Sequence, residues 1–265
     1  MYPEIILTES LHLSTYHLFL TLLPCGVVFW IIQFAKKQNL NIRVALDLYL
    51  ISILSGWLGA RVLHILYERP DYYLKNPLKV FYLSEGGFVF FGGLLAGFLA
   101  NYLYCKKNNE DFEQWGDFFA PIYAVTYGVG RLACLLAGCC YGKACDLPWG
   151  LELIEGEHLH RHPTPLYTTL WEISLGLLLF YLNKKYPHKK KDSLKKGDLK
   201  KRDLKKGSLL GIWIFMHGLG RFIIEFWRDD FRGPLLATLS LGQWISIALM
   251  IISGIYLFKK KPLLL

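Results

Sequence analysis

The strongest constraint on this chain is a recurrence of apolar stretches, each long enough to cross a hydrocarbon layer of about 30 Å as a helix of some 20 residues. Seven are read, over residues 18–35, 44–67, 86–105, 116–138, 164–182, 208–227 and 240–258. The expected fold is therefore all-α, a polytopic integral membrane helix bundle with seven transmembrane helices. Composition agrees. Of 265 residues, 53% are hydrophobic and only 19% charged, against about a quarter charged in an ordinary soluble domain. That balance excludes an ordinary cytosolic enzyme, a disordered chain and a DNA-binding module. Met1 to His17 holds Glu4 and Glu9 but no Lys or Arg. The basic region of a signal peptide is missing, so the first helix is read as retained.

The formal net charge of +9 raises the question of partners, and the positions of the basic residues answer it. One set of alternate loops holds Lys36, Lys37 and Arg43, then Lys106 and Lys107, then the segment Asn183 to Gly207, then Lys259, Lys260 and Lys261. The other set holds only Arg69, Lys75, Lys79, Lys143, Arg161, Arg228 and Arg232. Basic loops stay on the cytoplasmic side, which places the N-terminus outside and the C-terminus in the cytoplasm. The segment 183–207 accounts for the whole net charge and repeats DSLKK, DLKK and DLKK. It reads as a low-complexity cytoplasmic loop, able to touch anionic membrane lipids, within a single transmembrane domain spanning 1–265. No structured aromatic partner accompanies its lysines, so nucleic acid is not expected.

Charged groups inside a bundle are costly and mark candidate sites. Asp47, Asp117 and Glu172 are expected to pair with other buried charges and fix helix register. On the sixth helix, His217, Arg221 and Glu225 follow at i, i+4 and i+8, which stacks an imidazole, a guanidinium and a carboxylate on one face. An arginine held by a carboxylate is suited to phosphate, which it binds bidentately without losing its proton. Arg131 lies in a second candidate stretch, TYGVGRLACLLAGCCYG, rich in glycine and cysteine. A zinc site there is disfavoured by the C-x4-C-C-x4-C spacing of Cys134, Cys139, Cys140 and Cys145. A disulfide from Cys145 to Cys139 or Cys140 is left open.

Between Ser55 and Gly254 the chain carries, in order, GARVLHILYERPDYYLKNPLKVF, EGGFVFFGGLLAG, DFFAP, GRLACLLAGCCYG, RHPTPLY, GLGRFIIEFWRD and LSLGQWISIALMIISG. Together these resemble the bacterial prolipoprotein diacylglyceryl transferases. The resemblance implies a plasma-membrane enzyme with phosphatidylglycerol and prolipoprotein signal peptides as partners. It would move the diacylglyceryl group onto the lipobox cysteine, forming a thioether and releasing glycerol phosphate. Arg131 and Arg221 match the family's two arginines, expected as phosphate ligands with Glu225 orienting Arg221. Gly92, Gly93, Gly130 and Gly142 match glycines expected to shape a headgroup cavity. Arg61 and Glu172 also match, as substrate contacts or structural ion pairs. No metal or other cofactor is expected.

The chain also departs from the family. Phe91 stands where the third helix has a histidine thought to activate the thiol. Cys134 and Cys139 replace an Asn and a Glu after Arg131, and His217 replaces a tyrosine. Two readings follow: His217 takes over as thiol base, or the chain acts on another lipid-linked substrate with a cysteine as nucleophile. A phospholipid-binding protein without chemistry is the remaining alternative. Loop 139–163, with His158, His160 and His162, is the expected contact for the acceptor.

Overall fold

A computed structural model of the chain describes residues 4–8, 11–82, 87, 89–153, 158–186, 204–229 and 239–260. A short ladder of β1 (Glu4–Thr8) and β2 (Leu11–Ser14) precedes α1 (Thr15–Gln38), α2 (Ile42–Leu63) and the short α3 (Pro70–Lys75). Next come α4 (Phe90–Lys107), α5 (Phe112–Leu136), and a two-residue ladder of β3 (Leu151–Glu152) and β4 (His160–Arg161). The chain closes with α6 (Thr164–Lys185), α7 (Ser208–Ile224) and α8 (Leu241–Lys260). Helix ends follow local chemistry. Asn41 caps α2 by accepting from the Arg43 amide at 3.0 Å, and Asp111 caps α5 by accepting from the amides of Glu113 and Gln114. Lysine pairs close α1, α4, α6 and α8, where the helix dipole favours positive charge.

Among the described residues, six helices are long and apolar enough to cross a membrane: Thr15–Gln38, Ile42–Tyr67, Phe112–Leu136, Thr164–Lys185, Ser208–Trp227 and Leu241–Lys260. The chain is an all-α polytopic membrane protein with about six candidate spans. Of the remaining stretch read from the sequence, 86–105, residues 90–105 lie in α4. That helix has 18 residues, the last two of them Lys106 and Lys107, and is not among those six. Phe29, Leu54, Leu95, Ile252 and Phe258 are exposed on the helices. Lipid is the solvent that such faces suit. Residues 187–203, most of the basic loop, lie outside the described residues.

The chain divides into two compact units, Val28–Trp115 and Met1–Val27 with Gly116–Leu265, the boundaries falling inside α1 and α5. In the unit Val28–Trp115, α2 and α4 pack backbone to backbone. A Cβ on Gly92 would lie 2.3 Å from the Gly59 carbonyl oxygen, and one on Gly93 2.7 Å from that of Gly56. Only glycine permits this approach. Tyr104 donates to Asp47 at 2.7 Å and ties the same two helices together. Arg61 is buried and donates to the carbonyls of Lys79, Val80, Tyr82 and Gly87. It pins the segment between α3 and α4 to α2.

In the other unit, Ala120, Ala124, Leu175, Leu179, Leu182, Leu204 and Leu209 form a core shared by α5, α6 and α7. Asp117 on α5 caps α7 by accepting from the amides of Gly207 (2.7 Å) and Leu210 (2.8 Å). Trp171 on α6 donates to the Met216 carbonyl on α7 at 3.0 Å. Asp47 thus ties its helices together through a tyrosine hydroxyl, and Asp117 holds α7 through backbone amides. Glu172, expected in a register-fixing pair, meets an ionisable partner on α7, His217, at 2.7 Å.

Candidate active site

The site forms in the unit Met1–Val27 with Gly116–Leu265, where the end of α5, the start of α6 and the end of α7 meet. Arg131 lies five residues from the end of α5, half-buried, and donates through Nη2 to the hydroxyl of Tyr127 one turn earlier. Its guanidinium also covers the Tyr127 ring at 4.8 Å. Tyr127 meets the His217 ring edge-to-face at 5.0 Å. His217 Nδ1 lies 2.7 Å from Glu172 Oε1, and both side chains are buried. With Nδ1 donating to the carboxylate, the neutral imidazole keeps its basic lone pair on Nε2.

Arg221 pairs with Glu225 at 2.9 Å, one turn along the helix. Arg228 lies 3.8 Å from the same oxygen, and Ser240 donates to Glu225 Oε1 at 3.1 Å. Arg221 is close enough to Arg131 and Arg228 to feel both charges. One carboxylate therefore serves two arginines, a third stands nearby, and Arg221 Nη1 is buried without a hydrogen-bond partner among the described residues. A buried unmatched donor amid excess positive charge is the environment an anion would complete. The stacked ladder expected on the sixth helix is only half realised. Arg221 and Glu225 pair as their spacing suggests, but His217 turns to Glu172 on α6 instead.

Beyond α5 the chain reverses through Gly138 (φ 67°) and Cys140 (φ 60°). The second is a conformation costing a non-glycine residue about 1–2 kcal/mol. Surrounding bonds hold it: the Cys139 amide donates to the Cys134 carbonyl at 3.0 Å, and Thr164 Oγ1 donates to the Cys140 carbonyl at 2.6 Å. Gly142 is wedged behind them, its missing Cβ position 2.3 Å from the Trp227 carbonyl oxygen and 2.7 Å from His162 Cβ. The turn brings the sulfurs of Cys134, Cys139 and Cys140 within 4.8 Å of one another, with Arg131 Nη1 4.0 Å from Cys140 Sγ. Hydrogen bonds from Cys134 and Cys139 hold the Cys140 thiol well below the usual range, and Arg228 and Arg131 add to this. Hydrogen bonds with Cys134 and then Cys140 push the Cys139 thiol up. All six cysteines are free thiols. Cys145 sits in the β3–β4 region, its amide donating to the His160 carbonyl at 2.9 Å, and is not part of the cluster.

A sequence model described as prolipoprotein diacylglyceryl transferase matches residues 3–259. The chain belongs to this family. It is 35% identical over 229 residues to the phosphatidylglycerol–prolipoprotein diacylglyceryl transferase of Bordetella parapertussis, an alignment covering 84% of this chain and 81% of that one. The protein of the same name from Clostridium tetani is 31% identical over 228 residues, covering 84% and 83%. That from Idiomarina loihiensis is 34% identical over 206 residues, covering 77% and 71%. The chain is thus a membrane transferase of lipoprotein biosynthesis.

Within this transferase the sequence-derived residues fall into two groups. Arg131, His217, Glu172, Arg221, Glu225, Gly130 and Gly142 share the unit just described. A Cβ on Gly130 would make an ordinary van der Waals contact, with Leu23 Cδ2 at 3.9 Å. Arg61, Gly92 and Gly93 belong to the unit Val28–Trp115, where Arg61 binds backbone carbonyls and the glycines admit α2. Phe91 is in α4, beside them in sequence. Tyr127, Thr164 and Arg228 were missed, although Tyr127 stands four residues before Arg131 and Arg228 three after Glu225, both helical spacings that signal contact. Of loop 139–163, residues 154–157 lie outside the described residues. His162 lines an open apolar recess of about 440 Å³ with Leu147, Trp149, Tyr167, Trp171, Ile224 and Trp227. His160 makes only an exposed pair with Glu152, at 3.7 Å.

Proposed function

We propose that this transferase moves the diacylglyceryl group of phosphatidylglycerol to the lipobox cysteine of a prolipoprotein, forming a thioether and releasing glycerol phosphate. The observation that carries this reading is the arginine cluster around Glu225, with Arg221 Nη1 buried and without a hydrogen-bond partner among the described residues. Negative charge grows on the phosphate as its bond to the glyceryl carbon breaks, and preorganised guanidinium groups favour that state over the ground state. Glu225 holds Arg221 in place, and Tyr127 holds Arg131. His217, oriented by Glu172, takes the thiol proton on Nε2. Gly130 puts no side chain beside Arg131, and Gly142 anchors the turn that follows. The aromatic recess beside His162 suits an apolar acceptor segment. A cysteine nucleophile would not serve this reaction, because its own thioether would be a dead end.

The test is expression in bacteria depleted of their own transferase. The wild-type chain is expected to restore thioether-modified lipoprotein, and an inserted but inactive chain overturns the reading. In purified protein, His217→Phe lowers transfer by about 10²-fold, the scale of general-base catalysis. Glu172→Gln falls between that variant and wild type. Full activity of His217→Phe removes the imidazole from the mechanism.

The same reading places the protein in the bacterial plasma membrane as a single transmembrane domain. α4 would be the seventh span, the N-terminus outside and the 183–207 loop and C-terminus in the cytoplasm. The charge asymmetry of the loops supports this orientation. A reporter fused after Leu265 is expected to be active only as a cytoplasmic reporter; an externally active fusion reverses the topology.

A further inference from the structure

The cysteine cluster has chemistry that the proposed transfer reaction leaves unused. Three thiols from the end of α5 and the turn after it converge within 4.8 Å, none of them in a disulfide. Tetrahedral zinc with bonds of about 2.3 Å to sulfur sets its ligands roughly 3.8 Å apart, so closing the set around an ion takes an adjustment of about 1 Å. The means for that are present. Cys134 is anchored on a helix, whereas Cys139 and Cys140 are half-buried on a turn held by backbone bonds. The spacing Cys134-x4-Cys139-Cys140 looks unlike a zinc motif because it lacks a C-x2-C pair. The left-handed residues Gly138 and Cys140 fold it into a three-sulfur face. A three-thiolate zinc centre carries a net negative charge, and Arg131, 4.0 Å from Cys140 Sγ, supplies the compensating cation.

We propose that Cys134, Cys139 and Cys140 bind a zinc ion whose fourth position receives the thiol of the acceptor cysteine. The proposal rests on the transferase reading above and identifies how the thiol is activated where Phe91 has replaced the family histidine. Zinc with three protein ligands keeps an open site, and a thiol that coordinates it is deprotonated. The acceptor proton passes to His217. The sulfur electron pair then forms the new bond to the glyceryl carbon as that carbon's bond to phosphate oxygen breaks. The departing pair leaves on glycerol phosphate beside Arg131 and Arg221. The neutral thioether is a weaker zinc ligand than a thiolate, so alkylation itself frees the product and returns the open position. Placing the metal against Arg131 puts nucleophile and leaving group in one site.

Full-length protein, reduced and purified in detergent, is titrated with cobalt(II) and zinc(II). Wild type is expected to bind one equivalent of cobalt with thiolate charge-transfer absorption, displaced by zinc. Cys139→Ser and the Cys139→Ser/Cys140→Ser double variant lose that absorption, while Cys145→Ser keeps it. A lipobox peptide with its cysteine intact strengthens the absorption, and the same peptide with serine does not. Absent binding by wild type, or binding unchanged in the Cys139 and Cys140 variants, overturns the metal site. A spectrum indifferent to the peptide thiol overturns the acceptor position. Transfer from phosphatidylglycerol is measured on the same samples. Activity that survives both chelation and the cysteine changes sinks the zinc proposal and leaves the transferase standing. A zinc-loaded wild type that transfers nothing sinks the transferase reading instead.

Discussion

Arg221→Ala and Arg131→Ala are each expected to lower diacylglyceryl transfer by about 10²-fold or more, the usual cost of removing one preorganised donor to a developing oxyanion. The loss appears in kcat more than in KM, because charge on the phosphate peaks as the leaving group departs. Arg131→Lys and Arg221→Lys recover little. A lysine is a single strongly hydrated charge and cannot reproduce the planar fork. For Arg131 it would also forfeit the stack on Tyr127 at 4.8 Å. The measurement is thioether formation on a lipobox peptide in phosphatidylglycerol vesicles, with insertion checked independently. Near wild-type rates in either alanine variant would show that this cluster does not hold the phosphate.

The second large effect concerns stability. Glu225 forms an ion pair with Arg221 (2.9 Å), accepts from Ser240 (3.1 Å) and faces Arg228 (3.8 Å), all at a buried position. Glu225→Ala takes from the buried Arg221 the carboxylate that it pairs with, a change costing about 3–5 kcal/mol. Unfolding in detergent should move to markedly lower temperature, and activity should fall with it. Removing Arg221 as well takes away part of the imbalance, so Arg221→Ala/Glu225→Ala is expected to be more stable than Glu225→Ala alone. If Glu225→Ala melts with wild type, the carboxylate is not what holds the cluster.

The two units differ in how far their polar contacts could be read ahead of the fold. The Arg221–Glu225 pair was legible because four residues on a helix always share a face. Asp117 and the α7 amides it caps are 90 and 93 residues apart, and His217 and Glu172 are 45 apart. No local period connects such partners. Arg61 illustrates a different limit. Its presence inside a span marked it as important, but its acceptors are main-chain carbonyls, which every sequence offers and none advertises. The cysteine spacing did not show that three sulfurs converge within 4.8 Å, for a related reason. Linear separation measures sulfur distances only when the intervening backbone is regular, and two left-handed residues make it irregular.

By itself the sequence determined that the chain is a helical membrane protein of this transferase family. Spans are written in runs of about 20 apolar residues, and the family in ordered motifs around Arg131 and Arg221. Both are local properties that survive without knowledge of neighbours. Only the tertiary structure decided which buried groups answer each other: Glu172 with His217, Glu225 with two arginines, and three thiols facing one another beside a third arginine. Those relations depend on how helices pack and where the chain turns back, and packing is a property of the assembled unit rather than of any segment.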